Sequence, residues 1–110
     1  AHRSFVVNNR LYVATLDQGL LWLDASGQLT EAPLGKAFIG ETIFGMLPVP
    51  NSPNLYLFSE KQGWLVYDFA SIKPFYSPLN PTLAGQSLNV AWLSDSVLAI
   101  GTRYNGVLLV

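Results

Sequence analysis

One sequence motif occurs three times along the chain at nearly constant spacing. The three stretches read RLYVATLDQGLLWLD, NLYLFSEKQGWLVYD and VLAIGTRYNGVLLV. Their glycines, at positions 19, 63 and 106, are separated by 44 and then 43 residues. A leucine before each glycine, at 11, 55 and 98, keeps the same spacing. Internal repeats of about 40 to 50 residues are typical of β-propeller blades and of HEAT-type helical repeats, so the strand content decides between them.

Short apolar runs bounded by turn residues indicate strands in each unit. The first unit reads FVVNN, LYVAT and LLWLD in succession, with Gly, Asn and Asp between the apolar residues. Runs of this kind are the strand and hairpin signal. No window has a sustained apolar stripe at helical spacing with a cap before it. We therefore expect an all-β fold of antiparallel four-stranded β-propeller blades.

The 110 residues are predicted to form one partial propeller with repeat units at approximately 1–37, 38–80 and 81–110. The second unit contains four expected strands, at 42–49, 54–59, 63–68 and 72–76. The third unit repeats only the first three of these, so about two and a half blades are present. Closed propellers need about four to eight blades, and the last strand, GVLLV, would be an unprotected apolar edge. The expected partners are therefore the remaining propeller blades or further copies of the chain. The alternative is a small, self-sufficient β-sandwich, which would have to cover this edge in another way.

The middle strands are apolar at nearly every position instead of alternating. A sheet that is covered on both faces buries both sets of side chains, as blades that stack face to face do. We expect burial at six equivalent positions, namely Leu11, Val13, Leu55, Leu57, Leu98 and Ile100.

The turns DQG, KQG and YNG join the second and third strands of each unit. A short hairpin turn requires a residue with positive φ, which glycine adopts without steric strain. Gly19, Gly63 and Gly106 are predicted to have this geometry.

The segments LYVAT…GLLWLD and LAIGT…GVLLV resemble the two-component regulator propeller repeat. That repeat has a strand ending in Leu-Trp-Ile-Gly-Thr, a short turn, and then Gly-Leu and an apolar strand ending in aspartate. Here the tryptophan is replaced by Tyr12, Tyr56 and Ala99, and an intact Gly-Thr ending occurs only at 101–102. Other propeller families, including quinoprotein-like and NHL-type blades, remain open. The resemblance implies a periplasmic or extracellular sensory propeller of a bacterial sensor protein.

Composition excludes several classes of function. The net charge is −1 and the six Lys and Arg residues form no cluster, so a nucleic-acid interface is not expected. The apolar stretches are far shorter than the roughly 20 residues that span a bilayer, so membrane insertion by this segment is not expected. There is no cysteine, and the single histidine, His2, lies at the start of the chain. We therefore expect no catalytic residues, no metal site and no cofactor.

Several prominent residues are expected to serve the fold. Asp24 and Asp68 follow the third strand of successive units, where aspartate commonly forms turns with nearby backbone N–H groups. Trp22, Trp64 and Trp92 fall at different positions within their units and are expected to pack in or between blades.

Functional residues are expected where the units differ. In a propeller, the loops between second and third strands lie on the same face as the connections from one blade to the next. These loops carry polar groups that vary from blade to blade on a rigid scaffold, as binding surfaces commonly do. The predicted ligand-binding residues are Asp17, Gln18, Glu41, Glu60, Lys61, Gln86, Arg103 and Tyr104.

Two functions are consistent with these features. The first is a ligand-sensing input domain of a bacterial membrane-bound signal-transduction protein, which binds a small, saccharide-like molecule. The second is a protein-interaction scaffold, or the blade portion of a propeller enzyme whose catalytic residues lie outside this segment. An adjoining transmembrane helix and signalling domain in the parent gene would favour the first.

Overall fold

Three antiparallel sheets follow one another along the chain in the computed structural model, which describes residues 2–75, 88–92, 97–102 and 106–109. The first sheet consists of β1 (His2–Val7), β2 (Arg10–Thr15), β3 (Gly19–Leu23) and β4 (Leu29–Glu31). The second consists of β5 (Ile43–Pro48), β6 (Leu55–Ser59), β7 (Gly63–Tyr67) and β8 (Ile72–Pro74). The third consists of β9 (Leu88–Trp92), β10 (Leu98–Thr102) and β11 (Gly106–Leu109). Within each sheet every strand pairs with its neighbour in sequence, which confirms the predicted all-β, antiparallel class.

The hairpin between the second and third strands is built in the same way in the first two sheets. Thr15 pairs with Gly19 and Ser59 pairs with Gly63, so three residues form each loop. The φ angles of the two glycines are 80° and 78°, as predicted. The φ angle of Gly106 depends on residue 105, which lies outside the described residues.

The sheets stack face to face, and the middle sheet is buried on both faces. Leu57 and Leu65 of the second sheet belong to a cluster that includes Tyr12 and Leu20 of the first sheet. On the other face, Trp64 belongs to a cluster that joins the second sheet to the third. Burial on both faces explains why β6 and β7 are apolar at nearly every position.

The predicted burial is correct for four of the six positions and wrong for two. Leu55, Leu57 and Ile100 are fully buried and Leu98 is nearly so. Leu11 and Val13 are only half-buried. They lie on the face of the first sheet that is turned away from the second sheet. The first sheet covers Leu55 and Leu57, but no described residue covers Leu11 and Val13 in the same way.

The sheets are closest to each other at their first strands. β1 packs against β5, and β5 packs against β9. Two side-chain hydrogen bonds to proline carbonyls hold these elements together: one joins the second sheet to the connection before it, and the other joins the third sheet to the second. The Tyr67 hydroxyl donates to the carbonyl of Pro33, and the Trp92 Nε1–H donates to the carbonyl of Pro48 over 3.0 Å. These bonds satisfy polar groups of aromatic side chains that lie between the sheets.

The three tryptophans all pack against other aromatic rings. Trp22 lies between Tyr12 and Phe69, with ring centroids 6.3 Å and 6.1 Å away. Trp64 stacks on Phe75 at 4.6 Å, and the Trp92 ring lies 6.2 Å from that of Tyr56. The tryptophans therefore contribute to packing within and between the sheets, as expected.

A short 3-10 helix (Gly35–Phe38) occurs in the connection from the first sheet to the second, where the sequence indicated only a loop. Its buried Phe38 ring meets the Tyr67 ring edge-on at 6.0 Å. A single helical turn has no apolar periodicity by which the sequence could reveal it. Across the described ranges, no helix has the length and apolarity needed to cross a membrane.

Candidate functional site

A cleft of about 140 Å³ lies between the first and second sheets. Its walls come from the start of β1, the end of β2 with the loop that follows, and the start of β5 with the residues before it. The lining residues are Arg3, Ala14, Thr15, Leu16, Glu41, Thr42 and Ile43. The cleft therefore lies at the edge of the sheets where the variable loops were predicted to meet.

Backbone hydrogen bonds gather the loops at this edge. The Gly40 N–H donates to the carbonyl of Leu16 over 2.8 Å, which ties the intersheet connection to the β2–β3 loop. The Glu60 N–H donates to the carbonyl of Thr42 over 2.9 Å, which ties the β6–β7 loop to the start of β5. These bonds fix the cleft to the rigid strands on both sides.

The Glu41 carboxylate is held by two side chains of the second sheet. The Ser59 hydroxyl donates to Glu41 Oε2 over 2.8 Å, and Gln62 Nε2 donates to Glu41 Oε1 over 2.6 Å. Ser59 is fully buried, and its hydroxyl also accepts the Gln62 backbone N–H over 3.3 Å. A carboxylate oxygen can accept more than one hydrogen bond, so both oxygens of Glu41 keep acceptor capacity. Glu41 is thus a pre-positioned acceptor in the cleft wall.

Arg3 is the cationic residue of the cleft lining. Its guanidinium carbon lies 5.5 Å from the centre of the Phe44 ring, within the range of a cation–π contact. Arginine offers five N–H donors and no acceptor, which complements the carboxylate of Glu41. Arg3 was not among the sequence-predicted site residues because it lies in a strand. The β1–β2 pairing places it opposite Ala14, and that pairing is the signal that could have revealed it.

A hydroxyl at one repeat position shapes the loops beside the cleft. Thr15 Oγ1 accepts the Gln18 N–H over 3.0 Å and donates to the Gly19 carbonyl over 3.1 Å. Ser59, which lies 44 residues later, accepts the Gln62 N–H in the same way. These bonds stabilise the three-residue turns, so Thr15 and Ser59 position the loops.

Five of the eight predicted site residues lie together at this edge. Asp17 and Gln18 are exposed in the β2–β3 loop, and Lys61 is exposed beside the half-buried Glu60 in the β6–β7 loop. Glu41 lines the cleft itself. The other three predicted residues, Gln86, Arg103 and Tyr104, lie outside the described residues.

Asp24 and Asp68 lie at the opposite edge and form turns, as predicted. Asp24 Oδ1 accepts from the Ser26 N–H over 2.9 Å and the Gln28 N–H over 3.0 Å. Asp68 Oδ1 accepts from the Ala70 N–H over 2.9 Å. The hydrogen bond from the Ser26 side chain, with the backbone bonds, lowers the pKa of Asp24. The Ala70 N–H and both donors of Ser71 lower the pKa of Asp68.

These lowered pKa values predict acid-sensitive stability. The unfolded chain binds protons at these two carboxylates at higher pH than the folded chain does, so folding is favoured above about pH 4. The stabilisation is lost as the pH falls through the lowered pKa values of the folded state. We expect the free energy of unfolding of the double variant Asp24→Asn/Asp68→Asn to decrease less with falling pH than that of the wild type. Urea denaturation at a series of pH values measures both. A decrease as large as that of the wild type would contradict this role of the two aspartates.

In the part of the chain that the structure describes, no three His, Cys, Asp or Glu side chains are grouped to hold a metal ion. The polar residues that line the cleft are Arg3, Thr15, Glu41 and Thr42. Comparison with protein-family models, with curated proteins and with solved structures gives no match.

Proposed function

We propose that this chain is a segment of a β-propeller that binds a small, hydroxyl-rich molecule in the cleft between its first two sheets. In this proposal the segment belongs to the ligand-sensing input domain of a bacterial membrane-bound signal-transduction protein. The domain lies in the periplasm or outside the cell and has no catalytic role. The observation that carries the binding proposal is the Glu41 carboxylate fixed by Ser59 and Gln62 at a cleft that also holds Arg3.

The arrangement of the sheets supports a propeller. Three antiparallel sheets in chain order stack face to face, and each contains strands in simple sequential order. The first strands of successive sheets approach each other most closely, as the inner strands of blades do around a propeller axis. The repeat spacing of 44 and 43 residues falls in the range of propeller blades.

The chemistry of the cleft supports a hydroxyl-rich ligand. Sugar hydroxyls both donate and accept hydrogen bonds, so they can pair with a carboxylate and a guanidinium at once. Because Glu41 is already fixed by two neighbours, little side-chain freedom is lost when a ligand binds to it. The apolar lining of Leu16 and Ile43 provides a surface for the carbon face of a sugar ring.

The sensory role is supported by the repeated strand–turn–strand motif, which resembles that of the two-component regulator propellers. Loop residues at the cleft edge differ between the units while the turn glycines are kept. Variable polar loops on a constant scaffold are suited to recognition of a ligand. A sensor also needs no acid, base or nucleophile in the segment that binds its signal.

A saccharide titration followed by amide NMR tests the binding site. We expect at least one monosaccharide or disaccharide to shift the resonances of Arg3, Thr15 and Thr42. We expect Glu41→Ala to weaken its affinity by about tenfold or more, since hydrogen bonds to charged groups contribute about 1.5 to 3 kcal/mol. The matched control is Glu31→Ala, because Glu31 is exposed outside the cleft and forms an ion pair with Lys36, at 3.9 Å.

The outcomes separate the parts of this proposal. Shifts confined to the edge that carries Asp24 and Asp68, or no binding by any saccharide, would contradict the proposed site. Equal weakening by Glu31→Ala and Glu41→Ala would also contradict it. The variants Arg103→Ala and Tyr104→Ala, in the same titration, test the part of the predicted site outside the described residues.

A further inference from the structure

We propose that two copies of this chain pack head to tail, with the outer face of the third sheet of one copy on the outer face of the first sheet of the other. The first outer face is the side of the first sheet turned away from the second, and it contains Val6, Leu11, Val13, Leu21 and Leu23. The third outer face is the side of the third sheet turned away from the second, and it contains Ala91, Ala99, Gly101, Val107 and Leu109. The proposal concerns association and does not depend on the ligand proposed above.

Both outer faces carry exposed apolar side chains, and the strand register also places Ser4 and Glu31 on the first outer face. Val6 is 75% exposed on the first outer face, while Val107 and Leu109 are 69% and 65% exposed on the third. Side chains that are adjacent across paired strands form a continuous patch, and contiguous apolar patches mark interaction sites.

The internal repeat indicates what kind of surface would cover the third outer face. Val107 is the repeat equivalent of Trp64 and of Leu20, at the same spacing of 43 and 44 residues. Trp64 is 3% exposed and packs toward the third sheet, and Leu20 is fully buried toward the second. In the two units for which a following sheet is described, that sheet therefore covers the side chain at this repeat position.

The first outer face has the complementary role. Leu11 is the repeat equivalent of Leu55 and of Leu98. Leu55 packs toward the first sheet, and Leu98 packs toward the second. At this position the side chain is covered by the preceding sheet. The two outer faces are thus the two halves of the interface that already occurs twice inside the chain.

This relation favours a second copy in head-to-tail orientation. If two copies met through their first outer faces, each copy would contribute the face that is covered by a preceding sheet. Neither internal interface pairs two faces of that kind. Head-to-tail contacts form closed rings when the rotation closes. The described residues of one copy form three sheets, so two copies provide six, which is within the range of about four to eight blades of closed propellers. A two-copy ring would bury both outer faces of each copy.

Sedimentation of the full chain and two exposed-site variants tests the proposal. Val6→Lys places a charge on the first outer face, and Val107→Lys places one on the third. We expect the wild type to sediment at twice the mass of one 12.1 kDa chain, and each variant alone to sediment as one chain. We expect an equimolar mixture of the two variants to form a one-to-one dimer, because one unblocked face of each kind remains.

A third variant controls for non-specific association. Ile39→Lys also replaces an apolar residue that is 49% exposed, but this residue lies in the intersheet connection, outside the strands that form the two faces. It should sediment like the wild type, and circular dichroism should show that all three variants keep the β fold. The proposal is overturned if the folded wild type is a single chain at high concentration, or if the mixture of variants stays monomeric. It is also overturned if either face variant alone associates like the wild type, or if Ile39→Lys is monomeric.

Discussion

Replacement of Gly19 with alanine is expected to lower the free energy of unfolding by about 2 to 5 kcal/mol. Two effects combine at this site. The φ angle of 80° is strained for a residue with a Cβ, by about 1 to 2 kcal/mol. An added Cβ would also overlap the backbone carbonyl of Gly35 and come within 3.3 Å of Ile39 Cγ1. Because a backbone carbonyl cannot rotate away, overpacking adds about 1 to 3 kcal/mol.

Gly27→Ala is the matched control for this experiment. The φ angle of Gly27 is 86°, but an added Cβ has no atom within 4 Å. Only the backbone strain applies there, so we expect a loss of about 1 kcal/mol. Urea denaturation of both variants measures the difference. Equal losses would mean that the close approach of Gly35 to Gly19 does not contribute to stability.

The same close approach explains why the 3-10 helix could not be predicted. The turn 35–38 lies where it does because Gly35 packs onto the backbone of the first sheet, at Gly19 and Leu20. That contact joins residues that are distant in sequence, and GKAF carries no local pattern of its own. The strands were predictable because each apolar run is bounded by Gly, Asn or Pro and recurs in the next unit.

The candidate site could be predicted only where it consists of loop residues. Glu41, which lines the cleft, was predicted because variable loops between repeated strands were expected to meet at one edge. Arg3 and Ser59 were missed because each is in a strand and resembles an ordinary strand residue in the sequence. Their part in the site depends on strand register and on a hydrogen bond across 18 residues, which the residue pattern does not show.

The error at Leu11 and Val13 has a different cause. The repeat correctly identified which positions face a neighbouring sheet in the second and third units. It could not show that the first sheet lacks a described neighbour on one side. The same side chain at the same repeat position is therefore buried in β6 and half-buried in β2. That difference allows one substitution to be compared in two environments.

Leu55→Ala and Leu11→Ala should differ strongly in dilute solution. Leu55 is fully buried between two sheets, so its truncation leaves a cavity and should lower the free energy of unfolding by about 2 to 5 kcal/mol. Leu11 is half-buried on the first outer face, so its truncation should cost roughly 1 kcal/mol. Chemical denaturation at low protein concentration measures both losses. Similar losses there would mean that the two faces of the first sheet are wrongly assigned.

The effect of protein concentration on these two losses tests head-to-tail association. If a second copy covers the first outer face, Leu11 becomes buried as Leu55 already is, and association stabilises the folded chain by mass action. We expect the loss caused by Leu11→Ala to grow toward that of Leu55→Ala as the concentration is raised about a hundredfold, while the loss caused by Leu55→Ala changes little. The comparison made in the Val6→Lys background should lose this dependence, because the charge prevents the second copy from binding. A Leu11→Ala loss that stays constant with concentration in the wild-type background would count against the second copy as the cover of this face.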